Sequence, residues 1–257
     1  MKSPLRERYP TKTMDALLKI IPPASKVNTF NLYGAHLSLN LAEQDRIVIG
    51  NTNRYVVYEF WKCALENPTC IAEMSEIIRG HNFLQGKISE ILQERWAYYP
   101  NPYLRAALFF LLNNHSVDGA ISTGALQESA FSPFAANALR QLSVSNFYLN
   151  FYDTNSLLEF DFSQLKTDFI LFPIGKFSYN LFEHGRAQGL EESHINHEGM
   201  RDTLRQIEQK TLFLYKMHPQ VPRLYSDFNQ LYLDVYGRPT DNIAKAREVI
   251  VANFGIN

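Results

Sequence analysis

The sequence lacks several features that would indicate a cellular compartment or a covalent framework. Cysteines are scarce: only Cys63 and Cys70 occur, too few for a disulfide framework and typical of free thiols in an intracellular protein. No run of about 18 apolar residues is present, so we expect no transmembrane helix and no membrane partner. Because the charged N-terminus has no apolar signal core, we expect a cytoplasmic protein.

Excess positive charge is also missing. The chain has 25 Lys and Arg residues against 26 Asp and Glu residues, for a formal net charge of -1. This balance argues against a general polyanion binder but is compatible with a local basic groove. A composition of 46% hydrophobic and 20% charged residues is ordinary for a globular protein.

Familiar catalytic and metal-binding motifs are absent from the sequence. We find no phosphate-binding Walker loop, no nucleophile elbow and no CxxC pair. Three histidines, His184, His194 and His197, have glutamates nearby, but they lack a compact spacing such as HExxH. We therefore predict a solvated polar segment here and no metal site.

What the sequence does contain is an alternation of short apolar runs with longer helical segments. Several of the apolar runs are continuous, as in strands that are covered on both faces. We predict an α/β fold with a mainly parallel sheet. The predicted strands are Val27–Tyr33, Arg46–Gly50, Ser145–Tyr152, Asp168–Pro173, Thr211–Met217, Leu231–Tyr236 and Glu248–Phe254. The predicted helices are Lys12–Ile21, Ala35–Ala42, Arg54–Glu66, Ile71–Arg79, Leu84–Trp96, Tyr103–Asn113, Pro133–Leu142 and Glu198–Gln209.

About 90 residues between the second and third predicted strands are almost wholly helical in pattern. We therefore expect an α/β domain formed by residues 1–53 and 143–257, interrupted by a helical insert at 54–142. From Glu59 to Arg140 this insert carries six basic and eight acidic residues, which argues against strong phosphate binding by the insert itself.

Three segments could contact a nucleotide, and each has a structural alternative. The loop NLYGAH has only one glycine, Gly34, which either lets a phosphate approach or relieves strain in a plain turn. Asn51 at the end of the second strand could bind a ribose hydroxyl or cap the next helix. Tyr9 and Lys12 could contact a nucleotide or belong to a surface segment.

The fourth predicted strand has an unusual end. In the stretch KTDFILFPIGKFSYNLF, Asp168 precedes four apolar residues and Pro173, and no acidic residue follows from Phe169 to Phe182. Many nucleotide-using enzymes present an acidic or amide side chain at such a strand tip. This stretch is therefore either a core strand or a site without its expected side chains.

The order of these segments resembles the Dam-like (D12 class) DNA adenine N6-methyltransferases. YPTKT followed by MDALLKIIP is similar to that family's opening segment, and VNTFNLYGAHLSLNLA is similar to its first strand and glycine-rich loop. RIVIGNTN is similar to the end of its second strand, NFYLNFYDT to the strand whose acidic tip borders the cofactor adenine, and TDFILFPIGKF to the strand that carries the catalytic Asp-Pro-Pro-Tyr.

The resemblance implies a Rossmann-like methyltransferase fold and a set of site positions. Tyr9, Lys12, Tyr33, Gly34, Asn51 and Asp153 take the positions that contact S-adenosylmethionine, as vestigial candidates. Asn51 replaces the ribose-binding Asp, and two of the three loop glycines are missing. The catalytic position, at Phe172, Pro173, Ile174 and Gly175, has no side chain that could accept hydrogen bonds from the adenine amino group.

We therefore expect a catalytically degenerate methyltransferase-like protein that needs no cofactor. It would act as a DNA-binding or protein-interaction module, with a protein partner, a second copy or duplex DNA bound to it. A viral or mobile-element origin would put it in the host cytoplasm or in the virion. One alternative is an active adenine methyltransferase that uses S-adenosylmethionine, and a second is a protein-only assembly component.

Overall fold

The computed structural model describes residues 2–6, 12–81, 84, 88–117, 121, 125–154, 157–177 and 196–256. Within these ranges the chain forms seven strands, which are β1 Lys26–Thr29, β2 Ile47–Thr52, β3 Phe147–Phe151, β4 Phe169–Gly175, β5 Lys210–Lys216, β6 Asn229–Leu233 and β7 Glu248–Ala252. The same ranges contain the helices α1 Met14–Ile20, α2 His36–Glu43, α3 Tyr55–Glu66, α4 Pro68–Gly80, α5 Ile88–Arg95, α6 Pro102–His115, α7 Pro133–Arg140, α8 His197–Gln206 and α9 Gln220–Leu224.

All seven strands belong to one sheet, in the order β3-β2-β1-β4-β5-β7-β6. The first five strands of this order pair in parallel, whereas β7 runs antiparallel between β5 and β6. The chain builds the sheet in one direction from β1 to β3 and in the other from β4, so the order reverses between β1 and β4. The predicted Rossmann-like α/β fold with a mainly parallel sheet is confirmed.

Every predicted strand and helix overlaps an observed one, and among the α-helices of the described residues only the short α9 was not predicted. The largest shift at the end of a strand is in β1, which ends at Thr29 rather than Tyr33. Soon after Thr29 the backbone leaves the extended region, since Asn31 has a left-handed φ of 54°. None of the described helices combines the length and apolar character needed to cross a membrane.

The two faces of the sheet are covered by separate hydrophobic clusters. Alternate residues of β4 point to opposite faces, so Leu171 belongs to one cluster and Phe172 to the other. The helices between β2 and β3 pack in the cluster of Leu171, which includes Trp61 and Phe109. Met200 of α8 packs in the cluster of Phe172. The helical segment thus shares a core with the sheet.

The two tryptophans are both buried, but their indole N–H groups differ. Trp61 Nε1 donates to the carbonyl oxygen of Tyr33 at 2.6 Å, which ties α3 to the loop after β1. Trp96 is 1% exposed, and its Nε1 has no hydrogen-bond partner among the described residues. A buried N–H group without a partner loses its hydration and gains nothing in return.

We expect Trp61→Phe to destabilise the protein more than Trp96→Phe. The first change leaves the Tyr33 carbonyl without its donor and should cost about 2 kcal/mol more than the second, which only removes an unsatisfied group. The free energy of unfolding, from urea titrations of both variants, is the measurement. Equal losses in the two variants would contradict this account of the indole groups.

Candidate functional site

A cleft opens at the carboxyl ends of the parallel strands, between β1 and β4. It is lined by residues 29–35, Leu37 and Ser38 of α2, residues 173–175 of β4, residues 214–216 of β5, and Glu248 at the start of β7. In open α/β sheets, ligands bind outside the carboxyl ends of the strands where the strand order reverses. The position of this cleft therefore makes it the candidate ligand site.

The loop that forms one wall of the cleft contains two residues with left-handed backbone conformations. These are Asn31, with a φ of 54°, and Ala35, with a φ of 55°, whereas Gly34 is not among the positive-φ residues. The reading in which Gly34 relieves backbone strain is therefore wrong. Asn tolerates this region better than most residues, but Ala does not. Trp61, through its bond to Tyr33, helps to hold the loop in this shape.

Most polar groups around the cleft already have partners within the protein. Thr29 Oγ1 and Ser38 Oγ are 2.9 Å apart, and the Tyr33 hydroxyl accepts a hydrogen bond from Asn113 at 3.0 Å. Lys216 forms an ion pair with Glu248, whose side chain is 2% exposed. These groups fix the walls of the cleft.

Asn31 is the exception to this pattern. Its Nδ2 atom is buried and has no hydrogen-bond partner among the described residues, and the residue lines the cleft. A buried amide donor of this kind carries a desolvation cost that an acceptor in the cleft would offset. The sequence reasoning did not select Asn31. The signal was present, since Asn is one of the few non-glycine residues that adopts a left-handed turn.

The strand tip that the resemblance assigns to catalysis contributes backbone and apolar groups to the cleft. Pro173, Ile174 and Gly175 line it, whereas Phe172 is fully buried in the hydrophobic core and does not. Gly175 has a φ of 77° and lies at an irregularity in the pairing of β4 with β5. Asp168 lies before the first residue of β4, at the other edge of the sheet, where its carboxylate accepts from Lys26 N at 2.8 Å.

Asn51 lies inside the sheet, away from the cleft. It is 0% exposed, its Nδ2 donates to Asn28 Oδ1 at 2.9 Å, and its Oδ1 accepts from Asn150 Nδ2 at 2.9 Å. These three residues, on the neighbouring strands β1, β2 and β3, form an amide ladder. The suggested N-cap role for Asn51 is wrong, because the helix that follows has Arg54 at its N-cap position, with no capping bond from its side chain.

An aromatic contact crosses the carboxyl end of β2 beside the amide ladder. Phe30 follows β1 and Tyr152 follows β3, with their ring centroids 5.9 Å apart and β2 between their strands. Phe30 also stacks on Phe172 at 5.1 Å and packs edge-on against Phe160 at 4.9 Å. Rings therefore fill the space beside the carboxyl ends of β1 to β3 on this face of the sheet.

The remaining predicted positions are dispersed. Asp153 is exposed at the tip of β3 and does not line the cleft. Lys12 is exposed, and its backbone N–H donates to Glu248 Oε2 at 2.8 Å. Tyr9 lies outside the described residues. Of the six cofactor positions implied by the resemblance, the described structure brings Tyr33 and Gly34 together in the cleft.

His197, at the start of α8, lies behind the cleft wall. Its Nδ1 accepts a hydrogen bond from the Tyr215 hydroxyl at 2.9 Å, and its Nε2–H donates to the carbonyl oxygen of Phe177. The Tyr215 hydroxyl is also 2.9 Å from that of Tyr225. This pattern needs a neutral imidazole, and burial lowers the pKa of His197.

A metal centre is not formed by the part of the chain that the structure describes. No group of three His, Cys, Asp or Glu side chains there is placed to hold a metal ion. Two of the three histidines considered in the sequence, His184 and His194, lie outside the described residues. Cys63 and Cys70 are both free thiols, as expected from the sequence.

Two solved structures are similar to this chain along most of its length. One is a TehB-like SAM-dependent methyltransferase from Corynebacterium glutamicum, with 6% sequence identity and a TM-score of 0.41, covering 94% of this chain and 85% of that protein. The other is a type I restriction-modification system methyltransferase subunit from Streptococcus thermophilus, with 7% identity and a TM-score of 0.34, covering 97% of this chain and 46% of the subunit.

No family model matches the sequence, and no curated protein matches it. Structural overlaps at these scores do not assign an activity. The class of fold follows from the sheet itself: a doubly wound parallel sheet with an antiparallel strand between β5 and β6 is the Rossmann-like arrangement that the methyltransferase resemblance implies.

We expect Asn51→Asp to destabilise the protein without creating a cofactor site. At neutral pH a buried carboxylate would face the Asn28 side-chain oxygen and the Thr29 carbonyl, both of which now accept from the amide. Placing an acceptor against acceptors in the core should cost about 3 kcal/mol or more. Urea titration measures the loss, and Asn53→Asp, at a half-buried position, is the control. A stable Asn51→Asp protein that binds S-adenosylmethionine would contradict the ladder's structural role.

We expect His197 to make the protein less stable as the pH falls. Because the pKa of His197 is lowered in the folded state, the unfolded chain takes up its proton first. The contribution of neutral His197 to the free energy of unfolding is thus present above a pH of about 6.5. It is lost as the pH falls through the pKa of His197 in the folded state. His197→Gln should lose less stability than the parent protein between pH 7.5 and 5, in urea titrations. The same slope in His197→Gln and in the parent protein would refute the assignment.

Proposed function

We propose that this chain is a methyltransferase-like protein that does not methylate adenine and acts as an interaction module for a protein partner or for duplex DNA. In this proposal the fold of a methyl-transferring enzyme supplies a rigid scaffold, and the chemistry at its strand tips is absent. The Dam-like class itself rests on the order of sequence segments and belongs to the proposal, as does a target-recognition role for residues 54–142.

The observation that carries the proposal is the packing at the carboxyl ends of β1 to β3. A cofactor nucleoside held as the resemblance implies would lie near Asn51 and Asp153. Instead, the rings of Phe30 and Tyr152 meet across β2, and the Asn51 amide is bound to Asn28 and Asn150. A nucleoside there would have to displace buried aromatic area and break an amide network in which Asn28 and Asn51 are buried, which costs several kcal/mol.

The tip of β4 supports the same proposal. Adenine methylation in the related family needs a side-chain acceptor close to the amino group of the flipped base. Residues Pro173 to Gly175 face the cleft with two apolar side chains and a glycine, and the nearest acid of this stretch, Asp168, lies at the opposite edge of the sheet. No side chain of this tip can accept the hydrogen bonds of an amino group.

A second candidate function is favoured by Asn31. Asn31 lines the cleft at the point where strand order reverses, and its buried Nδ2 has no hydrogen-bond partner among the described residues, so it is a donor that a ligand could use. If S-adenosylmethionine binds this chain, we expect it in this cleft, with Asn31 donating to an acceptor of the cofactor. Tyr33, Gly34 and the backbone of residues 173–175 would form the walls, and the chain would then be an active methyltransferase with altered motifs.

Calorimetry with S-adenosylmethionine, together with transfer of a labelled methyl group to adenine-containing duplex DNA, tests the proposal. We expect no methyl transfer and no binding tighter than about 1 mM, because the nucleoside space is filled. The second candidate predicts micromolar binding that is weakened at least about tenfold by Asn31→Asp. That variant keeps an Asn-like shape and tolerates the positive φ but has no donor. Methyl transfer that is lost in Asn31→Asp and retained in Asn53→Asp would overturn the proposal.

The nature of the partner needs a separate measurement. Binding to duplex DNA through phosphate contacts must weaken steeply between 50 and 200 mM salt, about a thousandfold when six or more phosphates are contacted. A gel shift at both salt concentrations therefore separates the two kinds of module. Tight binding to duplex DNA with that salt dependence would favour the DNA-binding form, and its absence leaves the protein-interaction form.

A further inference from the structure

A second groove lies on the same edge of the sheet, beyond β5. It is separate from the cleft and is bounded by α9 on one side and by the turn that precedes β7 on the other. The lining residues are Met217, Pro219, Pro222, Arg223, Ile243, Ala244, Ala246 and Arg247. None of them lines the cleft at β1 and β4.

The basic side chains at this groove are not used by the rest of the described protein. Arg223 of α9 and Arg247 line it, and Lys245 lies on the same turn as Arg247; all three are exposed. None of the three makes a side-chain hydrogen bond or an ion pair with another described residue. Arginines elsewhere in the described chain, such as Arg79 and Arg205, are paired with carboxylates. The charge at the groove is therefore available to a partner.

Among the described residues, no acidic side chain neutralises the groove. The described part of its lining contains no carboxylate. Glu248 and Asp227 each form an ion pair elsewhere, and Asp234 accepts backbone hydrogen bonds within its own turn. Asp241 is exposed but is not part of the lining. The groove is thus locally cationic on a chain whose formal net charge is -1.

The floor of the groove identifies the kind of partner. It consists of proline, alanine, methionine and isoleucine side chains, and Ile243 is 51% exposed. Phosphate oxygens gain nothing from such a surface, and no aromatic side chain lines it on which a base could stack. A peptide with apolar side chains can bury them against this floor while its carboxylates meet the arginines at the rim.

We propose that this groove binds an acidic, partly apolar peptide segment of a partner protein, with Arg223 and Arg247 pairing with its carboxylates. The inference rests on the proposed interaction role and adds the chemistry of the partner and the place where it binds. It does not depend on whether the cleft binds a cofactor, because the two sites share no lining residue.

Fluorescence anisotropy with a labelled twelve-residue peptide of Asp, Glu, Leu and Phe tests the proposal on the full chain. The matched probe replaces Asp and Glu by Asn and Gln. We expect the acidic peptide to bind, the neutral one to bind at least about tenfold more weakly, and Arg223→Gln and Arg247→Gln each to reduce affinity about fivefold. The control Arg95→Gln removes an exposed arginine of α5 that is remote in sequence and does not line the groove, and it should bind as the parent does.

Each other outcome overturns the inference in a recognisable way. Equal affinity for both peptides would show that charge plays no part in binding. A loss of affinity in Arg95→Gln equal to that in the groove variants would show that the peptide is attracted to the chain as a whole. Salt-dependent binding of duplex DNA that requires Arg223 and Arg247, without peptide binding, would make the groove a nucleic-acid site. Binding of neither probe would leave the groove without the proposed partner. Methyl-transfer assays on the same variants test the proposed function separately from peptide binding, because substitutions in the groove leave the cleft unchanged.

Discussion

The amide of Asn51 is the constraint on which the candidate site depends. A buried amide must have its hydrogen bonds satisfied, and Asn51 satisfies them by joining Asn28 and Asn150 on the strands to either side. The bonds hold β1, β2 and β3 in one register, and they consume the groups that a ligand at this position would need. The rings of Phe30 and Tyr152 then meet beside the ladder. One largely buried network thus supports the sheet, and aromatic rings fill the space beside it at the carboxyl ends of β1 to β3.

The strands and helices could be predicted from the sequence because their signals are local. Continuous apolar runs predicted β4 and β5, which are covered on both faces, and helical spacing predicted α3 and α6. The amide ladder depends instead on strand pairing, which puts Asn51 opposite Asn150, 99 residues away in the chain. No local pattern gives that register, so Asn51 was placed at the strand end and considered as a ligand or a cap. The left-handed turn at Asn31 was not predicted, because glycine is the residue that usually adopts a positive φ in such a loop.

Charge is distributed unevenly, and the net value of -1 conceals this. The helical segment between β2 and β3 has more acidic than basic residues, whereas the groove beside β5 presents Arg223 and Arg247 without a carboxylate in its lining. The two regions also differ in whether their basic side chains form ion pairs with carboxylates. Arg105, for example, is bound by Glu59 between α3 and α6, and this bond raises its pKa. A cation paired in the core contributes to the fold, whereas an exposed one without a partner is free to attract a ligand. Sequence counts cannot separate the two kinds.

The tip of β4 shows why an acidic side chain is hard to introduce at three of its positions, Phe172, Ile174 and Gly175. An acid at Phe172 would be buried among aromatic rings, because that side chain packs against Phe30 and Phe213. An acidic residue at position 175 would have to adopt a backbone φ of 77°, a conformation that residues other than glycine rarely adopt. Ile174 faces the core as well as the cleft wall and is 2% exposed. At Phe172 and Ile174 the cost is desolvation of a carboxylate, and at Gly175 it is backbone strain. Core packing and the β4 irregularity thus oppose an acidic side chain at these three positions, and a functional acid there would require the surrounding layer to change with it.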